Sequence, residues 1–117
     1  MAAQYLYGEF SDEQMKANAK LLHAECHKLL VYKDENITEK NFANDAEFMT
    51  YFHNLLERIG GMNTLLGEPD MMVSLMSTLQ AAYDMCNGDN YDYRRFRRLI
   101  LDSHGILTQM FGDVRHA

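Results

Sequence analysis

The sequence predicts an all-α protein, folded as a four-helix bundle or a closely related orthogonal array of helices. Seven glycines and one proline interrupt the 117 residues, which favours long helices over a fold of strands and turns. Apolar residues recur at helical spacing in four segments, each flanked by residues that start or end helices. A hydrophobic fraction of 47% and a charged fraction of 24% are typical of one globular domain, predicted over residues 1–117.

Helix 1 is predicted over residues 12–32, after an arm of residues 1–10 that we expect to lie against the bundle. Ser11 has the position of an N-cap, and Gln14 follows three residues later, as in a capping box. Its apolar seam alternates steps of four and three residues, which is typical of a helix packed nearly parallel or antiparallel to its neighbours. The seam consists of Met15, Ala19, Leu22, Cys26 and Leu29, and Leu21 and Leu30 are expected to broaden it.

Helix 2 is predicted over residues 45–59. Asn44 is its expected N-cap, and Gly60 is its expected stop, because glycine tolerates the left-handed backbone that ends many helices. The segment before it shows no long helical pattern, although Ile37 and Phe42 are expected to turn inward.

Helix 3, predicted over residues 69–86, is expected to be the helix on which the others pack. Pro69 suits its first turn, and Asn87-Gly88 is predicted as a left-handed stop. Its apolar arc is broader than that of a usual surface helix. The opposite side is a strip of small residues with almost no charge, here called the small-residue strip: Ser74, Ser77, Thr78 and Ala81.

Helix 4 is predicted over residues 91–111, with residues 112–117 as a frayed tail. Caps are available from Asp89, Asn90 and Asp92. Its seam is Tyr93, Phe96, Leu99, Ile100, Ser103, Leu107, Met110 and Phe111.

The sequence contains no Walker loop, dinucleotide-binding glycine motif, HExxH, GxSxG or di-iron Glu-x-x-His pair. A helical domain without these motifs favours a binding or assembly protein over an enzyme, and we expect no cofactor. The net charge of −6 disfavours nonspecific binding of polyanions by the surface as a whole. Two cysteines without a CxxC spacing, and no apolar run long enough to span a membrane, predict a cytoplasmic protein with reduced thiols.

One cluster on helix 1 has the residue types of a metal site. His23, Cys26 and His27 are within one turn of one another, so two or three of them can meet one zinc or copper ion. The favoured interpretation is that these residues pack in the protein and bind no metal. Cys26 belongs to the apolar seam, and a structural zinc site needs four convergent ligands. The fourth would have to be His53, His104 or Cys86, which sequence alone does not bring together.

A second cluster, at the start of helix 4, is strongly basic. If Phe96 faces inward, four arginines surround the outer side of the helix, here called the arginine collar: Arg94, Arg95, Arg97 and Arg98. Three interpretations are ranked in this order. Local acids such as Asp89 and Asp92 neutralise the collar; or it docks on an acidic protein surface, with Tyr91 as an anchor; or it holds nucleic-acid phosphates.

These observations predict a non-enzymatic, cytosolic helical protein that acts by protein–protein interaction, as an adaptor, an inhibitor or a small subunit of a larger assembly. A nucleic-acid-associated subunit that uses the arginine collar is the main alternative, and a metal-binding bundle is the third. Because the small-residue strip lacks the charges of an exposed helix face, it predicts a cover: either another helix of the same chain in a monomer or, as the favoured alternative, a second copy in a homodimer.

Overall fold

The structure is a computed structural model that describes the backbone of residues 2–5 and 8–111 and the side chains of residues 14 and 16–109. Two short strands, β1 (Ala2–Tyr5) and β2 (Gly8–Ser11), pair antiparallel before the first helix. Within this part of the chain four helices follow and form a bundle, which confirms the predicted fold class: α1 (Asp12–Lys33), α2 (Asp45–Leu65), α3 (Asp70–Asn87) and α4 (Tyr93–Phe111). The predicted tail, residues 112–117, lies outside the described residues.

The helices alternate in direction around the bundle. The end of α1 meets the start of α2, where the rings of Tyr32 and Phe48 stack with centroids 4.7 Å apart. The end of α1 also lies beside the start of α4, where Nζ of Lys33 is 4.8 Å from the ring centroid of Tyr91. Phe52 and Tyr83 pack edge to face between α2 and α3. These contacts make α1 antiparallel to both α2 and α4, and α3 antiparallel to α2.

Helix α4 makes the most extensive contacts, one with α1 and one with α3. The prediction that all other helices pack on helix 3 is therefore wrong, because α1 packs chiefly on α4. The core joins apolar side chains of all four helices; Leu22, Phe52, Leu79, Ile100 and Leu107 are among its buried members.

The seam of α1 is largely as predicted, with Ala19, Cys26 and Leu29 fully buried. Leu21 is an exception, since 54% of it is exposed and it does not broaden the seam. The side chains of Ser11 and Met15 are outside the described set, so the predicted cap of α1 stays a prediction, although α1 does begin at Asp12.

Two other predicted caps are present in the structure. The side chain of Asn44 accepts a hydrogen bond from the backbone N–H of Glu47 at 2.9 Å, at the start of α2. The carboxylate of Asp92 accepts one from the backbone N–H of Arg94 at 3.0 Å, at the start of α4. Each of these side chains satisfies one of the N–H groups that the first turn of a helix leaves without a partner.

The predicted stop of helix 2 is wrong in position, and the predicted stop of helix 3 is right in position but wrong in backbone conformation. Helix α2 continues through Gly60 and ends at Leu65, and the left-handed backbone occurs at Gly67 (φ 81°) and Glu68 (φ 58°). Gly88 does follow the end of α3, but its backbone is extended; a Cβ there would lie 3.3 Å from the carbonyl oxygen of Asp84. Pro69 precedes the first turn of α3 as its N-cap residue.

No long helix lies between α1 and α2, as predicted, and Phe42 from this segment is buried. Its ring packs against Tyr32, Phe48 and Tyr51 at centroid distances of 4.8–5.8 Å. No helix in residues 2–5 and 8–111 combines the length and the apolar character needed to cross a membrane.

Candidate interaction surfaces

The arginine collar has the predicted geometry. Phe96 is fully buried, and the four arginines around it are all exposed. Arg94 and Arg98 are one turn apart on the outward side of α4, and exposed Leu101 continues the same side toward its C-terminus. The collar therefore combines four cations with an apolar side chain on one helix face.

Local acids do not form ion pairs with the collar. Among the side chains of residues 14 and 16–109, the ion pairs are Arg58 with Glu25 and His53 with Glu57. The carboxylate of Asp92 caps α4 by bonding to a backbone N–H instead. Neutralisation by Asp89 and Asp92, the first interpretation in the sequence ranking, has no ion pair to support it in the described part of the chain.

Tyr91 stands beside the collar and is held in place on its inner side. Its ring lies 4.8 Å from Nζ of Lys33 and 6.0 Å, centroid to centroid, from the ring of Phe96. Its partial burial raises the pKa of the phenol, so the side chain stays neutral over the physiological range. Tyr91 thus presents a fixed, partly apolar edge next to four cations.

A shallow depression of about 580 Å³ is lined by Tyr91 and by residues at the end of α1 and the start of α2. Its rim carries charges of both signs, from Lys33, Lys40, Glu35 and Asp45. Nζ of Lys40 donates to the backbone carbonyl of Asp34 at 2.6 Å, so that lysine stabilises the end of α1. The depression thus has charges of both signs, whereas the arginine collar has positive charges only.

The small-residue strip is on the outside of the bundle. Ser74, Ser77 and Ala81 are exposed, and Thr78 is half-buried. A shallow groove of about 460 Å³ lies between α2 and α3 along this strip; it is lined by Leu56, Met76, Ser77, Gln80, Ala81 and Asp84. The chain's own helices thus leave this side of α3 uncovered.

The residues of the predicted metal cluster do not converge as ligands. Cys26 is fully buried and contacts Ser103 of α4, and burial raises the pKa of its thiol to about 12. No group of three or more His, Cys, Asp or Glu side chains among the described residues is arranged to hold a metal ion. The structure therefore gives no support to the metal interpretation within the described residues.

His23 and His27 instead lie close to a third histidine, His104, which is not part of the predicted seam of helix 4. The ring of His104 stacks on that of His23 with centroids 3.9 Å apart, and His27 lies 6.1 Å away. His104 follows Ile100 by four residues and precedes Leu107 by three, and this spacing alone places it on the buried face of α4.

A buried charge between α1 and α2 was also missed. The Glu25 carboxylate accepts hydrogen bonds from both terminal nitrogens of Arg58, one of them at 3.1 Å, and from the hydroxyl of Tyr51 at 3.2 Å. Glu25 directly precedes the seam residue Cys26, and this position at the edge of the seam was the one sequence feature that could have indicated its burial. The residue that would pair with it was not available, because the sequence does not fix how α1 faces α2.

Comparisons of the chain with protein-family models, with curated proteins and with solved structures found no match.

Proposed function

We propose that this protein is a non-enzymatic, cytosolic interaction protein that docks on an acidic surface of another protein through the arginine collar and Tyr91. One observation carries the proposal. Four exposed arginines lie on one stretch of α4 without an ion-pair partner in the described residues, on a chain whose net charge is −6. A role as an adaptor, an inhibitor or a small subunit of an assembly fits such a surface.

The position of the collar is unfavourable for the isolated chain. The N-terminal end of a helix carries a partial positive charge, which repels nearby cations. Four adjacent arginines also repel one another. An acidic partner would offset both the repulsion by the helix N-terminus and the repulsion among the arginines. Binding of such a partner therefore explains the collar best.

Arginine and tyrosine suit a protein partner in particular. A guanidinium group donates two parallel hydrogen bonds to one carboxylate, and Arg and Tyr are enriched among the residues that dominate binding energy at interfaces. Exposed Leu101 adds an apolar contact on the same side of α4. The partner surface we expect is therefore rich in Asp and Glu, with at least one apolar side chain among them.

Nucleic acid is the second candidate for the same surface. The arginines would then hold phosphates, and Tyr91 would stack on a base. A single collar on an acidic chain makes few phosphate contacts, and this favours the protein partner.

Charge reversal of the collar tests the proposal. We expect Arg94→Glu with Arg98→Glu to weaken binding to the partner that co-purifies with the full chain by roughly tenfold or more, because each substitution replaces attraction by repulsion. The matched control is Lys16→Glu with Lys28→Glu, which makes the same change in net charge at exposed positions of α1. Titration calorimetry measures both.

The control is expected to bind within about threefold of the wild type, a difference of well under 1.4 kcal/mol. Equal weakening in both variants would mean that net charge, and not the collar, governs binding. Affinity unchanged by the collar substitutions would contradict the proposal. A partner that is nucleic acid, with affinity falling steeply as salt is added, would support the second candidate.

We also propose that a second copy of the chain is a partner, through the small-residue strip. The supporting observation is that Ser74, Ser77 and Ala81 are exposed and that Ser77 and Ala81 line a groove between α2 and α3.

A further inference from the structure

Three histidines meet where α1 packs on α4, and they are called the histidine cluster here: His23, His27 and His104. His104 is 9% exposed and lies between the helices, with its ring stacked on that of His23 at an interplanar angle of 27°. His27 is exposed at the edge of the same contact. The cluster therefore brings imidazole rings of both helices into one contact.

The groups that shift the pKa of His104 include none that stabilises its charged form. Nε2 of His104 is buried and has no hydrogen-bond partner among the described residues. On α1, the side chains of the cluster face it, and the nearby Glu25 carboxylate is bound by Arg58 and Tyr51 of α2. A proton added to His104 would thus enter a site that already holds two other basic rings.

The acids of α3 and α4 lie at the surface. Helix α3 has Asp70 and Asp84 as its charged residues, near its two ends, and both are exposed. On α4 itself the neighbouring charged residues are Asp102 and Arg98, also exposed. None of them is among the groups that shift the pKa of His104.

We propose that the histidine cluster is an acid-sensitive joint, at which protonation of the imidazoles separates α1 from α4 while α2 and α3 keep their packing. Charged rings stacked at 3.9 Å repel each other in a partly water-free contact, where the repulsion is stronger than in bulk water. The α1–α4 contact is one of the two largest in the bundle, so a change there alters the shape of the whole protein.

The direction of the pH effect follows from the pKa of His104. Burial, together with the smaller effects of the nearby His23 and His27, lowers that pKa from 6.5 to about 4. Between these two values the unfolded or opened chain binds more protons than the closed one. The stability that neutral His104 contributes is therefore complete above about pH 6.5 and is lost as the pH falls toward about 4.

Cys26 provides a local reporter of opening. It is fully buried in the same contact, beside Ser103 of α4, so a thiol reagent reaches it only when α1 separates from α4. In a Cys86→Ser background Cys26 is the one remaining thiol, because the chain has two cysteines. An aromatic disulfide that reacts with thiols in acid, such as dithiodipyridine, then measures the rate of opening.

The test compares that rate with and without His104→Phe, which keeps an aromatic ring in the stack and removes the titrating group. We expect equal rates at pH 7.5 and a rate at least tenfold higher in the histidine-containing chain at pH 4.5. The ratio at each pH cancels the intrinsic pH dependence of the reagent. His53→Phe is the control, since His53 is exposed on α2 beside Glu57, and it should behave as the wild type.

A second variant and a second measurement keep the proposal testable if His104→Phe does not fold. His27→Gln changes an exposed residue and removes one neighbouring charge, so it should reduce the acceleration in acid. Nuclear magnetic resonance should show the wild-type His104 ring titrating well below pH 6.5. A ring that titrates at or above 6.5, or equal acceleration with and without the histidines, would overturn the proposal.

Discussion

At the scale of single residues, Glu25 shows how a buried charge is held by neighbours from another helix. Its side chain is only 7% exposed, and its carboxylate receives hydrogen bonds from Arg58 and Tyr51, both on α2. Removing one partner from such a group leaves a charge without compensation, and this costs more stability than the pair itself contributes.

We therefore expect Arg58→Met to lower the free energy of unfolding by about 2 kcal/mol, near the middle of the range for hydrogen bonds to charged groups. Methionine retains the length of the side chain and suits a helix, so the lost hydrogen bonds dominate the change. Urea denaturation at neutral pH measures the effect. The control is Glu57→Ala, which removes the exposed pair with His53 and should change stability by about 0.5 kcal/mol or less. A loss for Arg58→Met no greater than the control would contradict this role of Glu25.

Residue-level prediction succeeded where a short stretch of sequence contains both partners. Asn44 with Glu47 and Asp92 with Arg94 are such cases, because a cap acts within one turn. The partners of Glu25 and His104 are 26 or more residues away, so their identity depends on how the helices face each other. Sequence spacing could have predicted that His104 is buried, but not that His23 lies beside it.

At the scale of elements, the end of α2 shows that a glycine in the sequence does not by itself end a helix. Gly60 and Gly61 are inside the helix, and the positive φ occurs seven residues after the first of them, at Gly67. The apolar face continues past the glycine pair to Leu66, which is buried, and this packing holds the helix together there. The predicted stop at Gly60 was wrong because it relied on the presence of glycine, although the apolar face of the helix continues beyond that residue.

This difference predicts opposite effects for two glycine substitutions. Gly61→Ala should stabilise the protein by about 0.5–1 kcal/mol, since alanine favours helix and a Cβ at position 61 has no atom within 4 Å. Gly67→Ala should destabilise it by about 1 kcal/mol or more, because an L side chain disfavours φ 81°. Thermal unfolding of both variants is the measurement. A gain in stability for Gly67→Ala, or a loss for Gly61→Ala, would show that the helix ends near Gly60 as the sequence suggests.

At the scale of the whole molecule, the sequence predicted the number and order of the described helices and, except for the end of α2, their approximate bounds, because period and caps are local properties. It did not predict which helix makes the largest contacts. The broad apolar arc of α3 indicated that α3 would make the largest contacts. In the structure α4 packs on both α1 and α3, while part of α3 faces outward. Arrangement depends on long-range contacts, and many arrangements satisfy the same helical periods.

The outward side of α3 is the feature that self-association would explain. Exposed helix faces usually carry Lys, Glu and Arg, which favour helix and solubility. Here the strip consists of small residues, and Val73, one turn before Ser77, is 45% exposed. Small side chains permit close approach of a second helix, and a two-fold axis would bring two identical strips together.

We expect the wild-type chain to be a dimer by sedimentation equilibrium, and Ser77→Arg with Ala81→Glu to make it a monomer. Both substitutions place long charged side chains into the strip, where a close contact would have to bury them at a large cost in free energy. Asn54→Arg with Thr50→Glu is the matched control, because it adds the same side chains at exposed positions of α2 and should leave the dimer intact. Circular dichroism should show the same helix content for all three proteins, since none of these side chains is in the core. A monomeric wild type, or a dimer that tolerates both substitutions in the strip, would exclude this face of α3 as the interface.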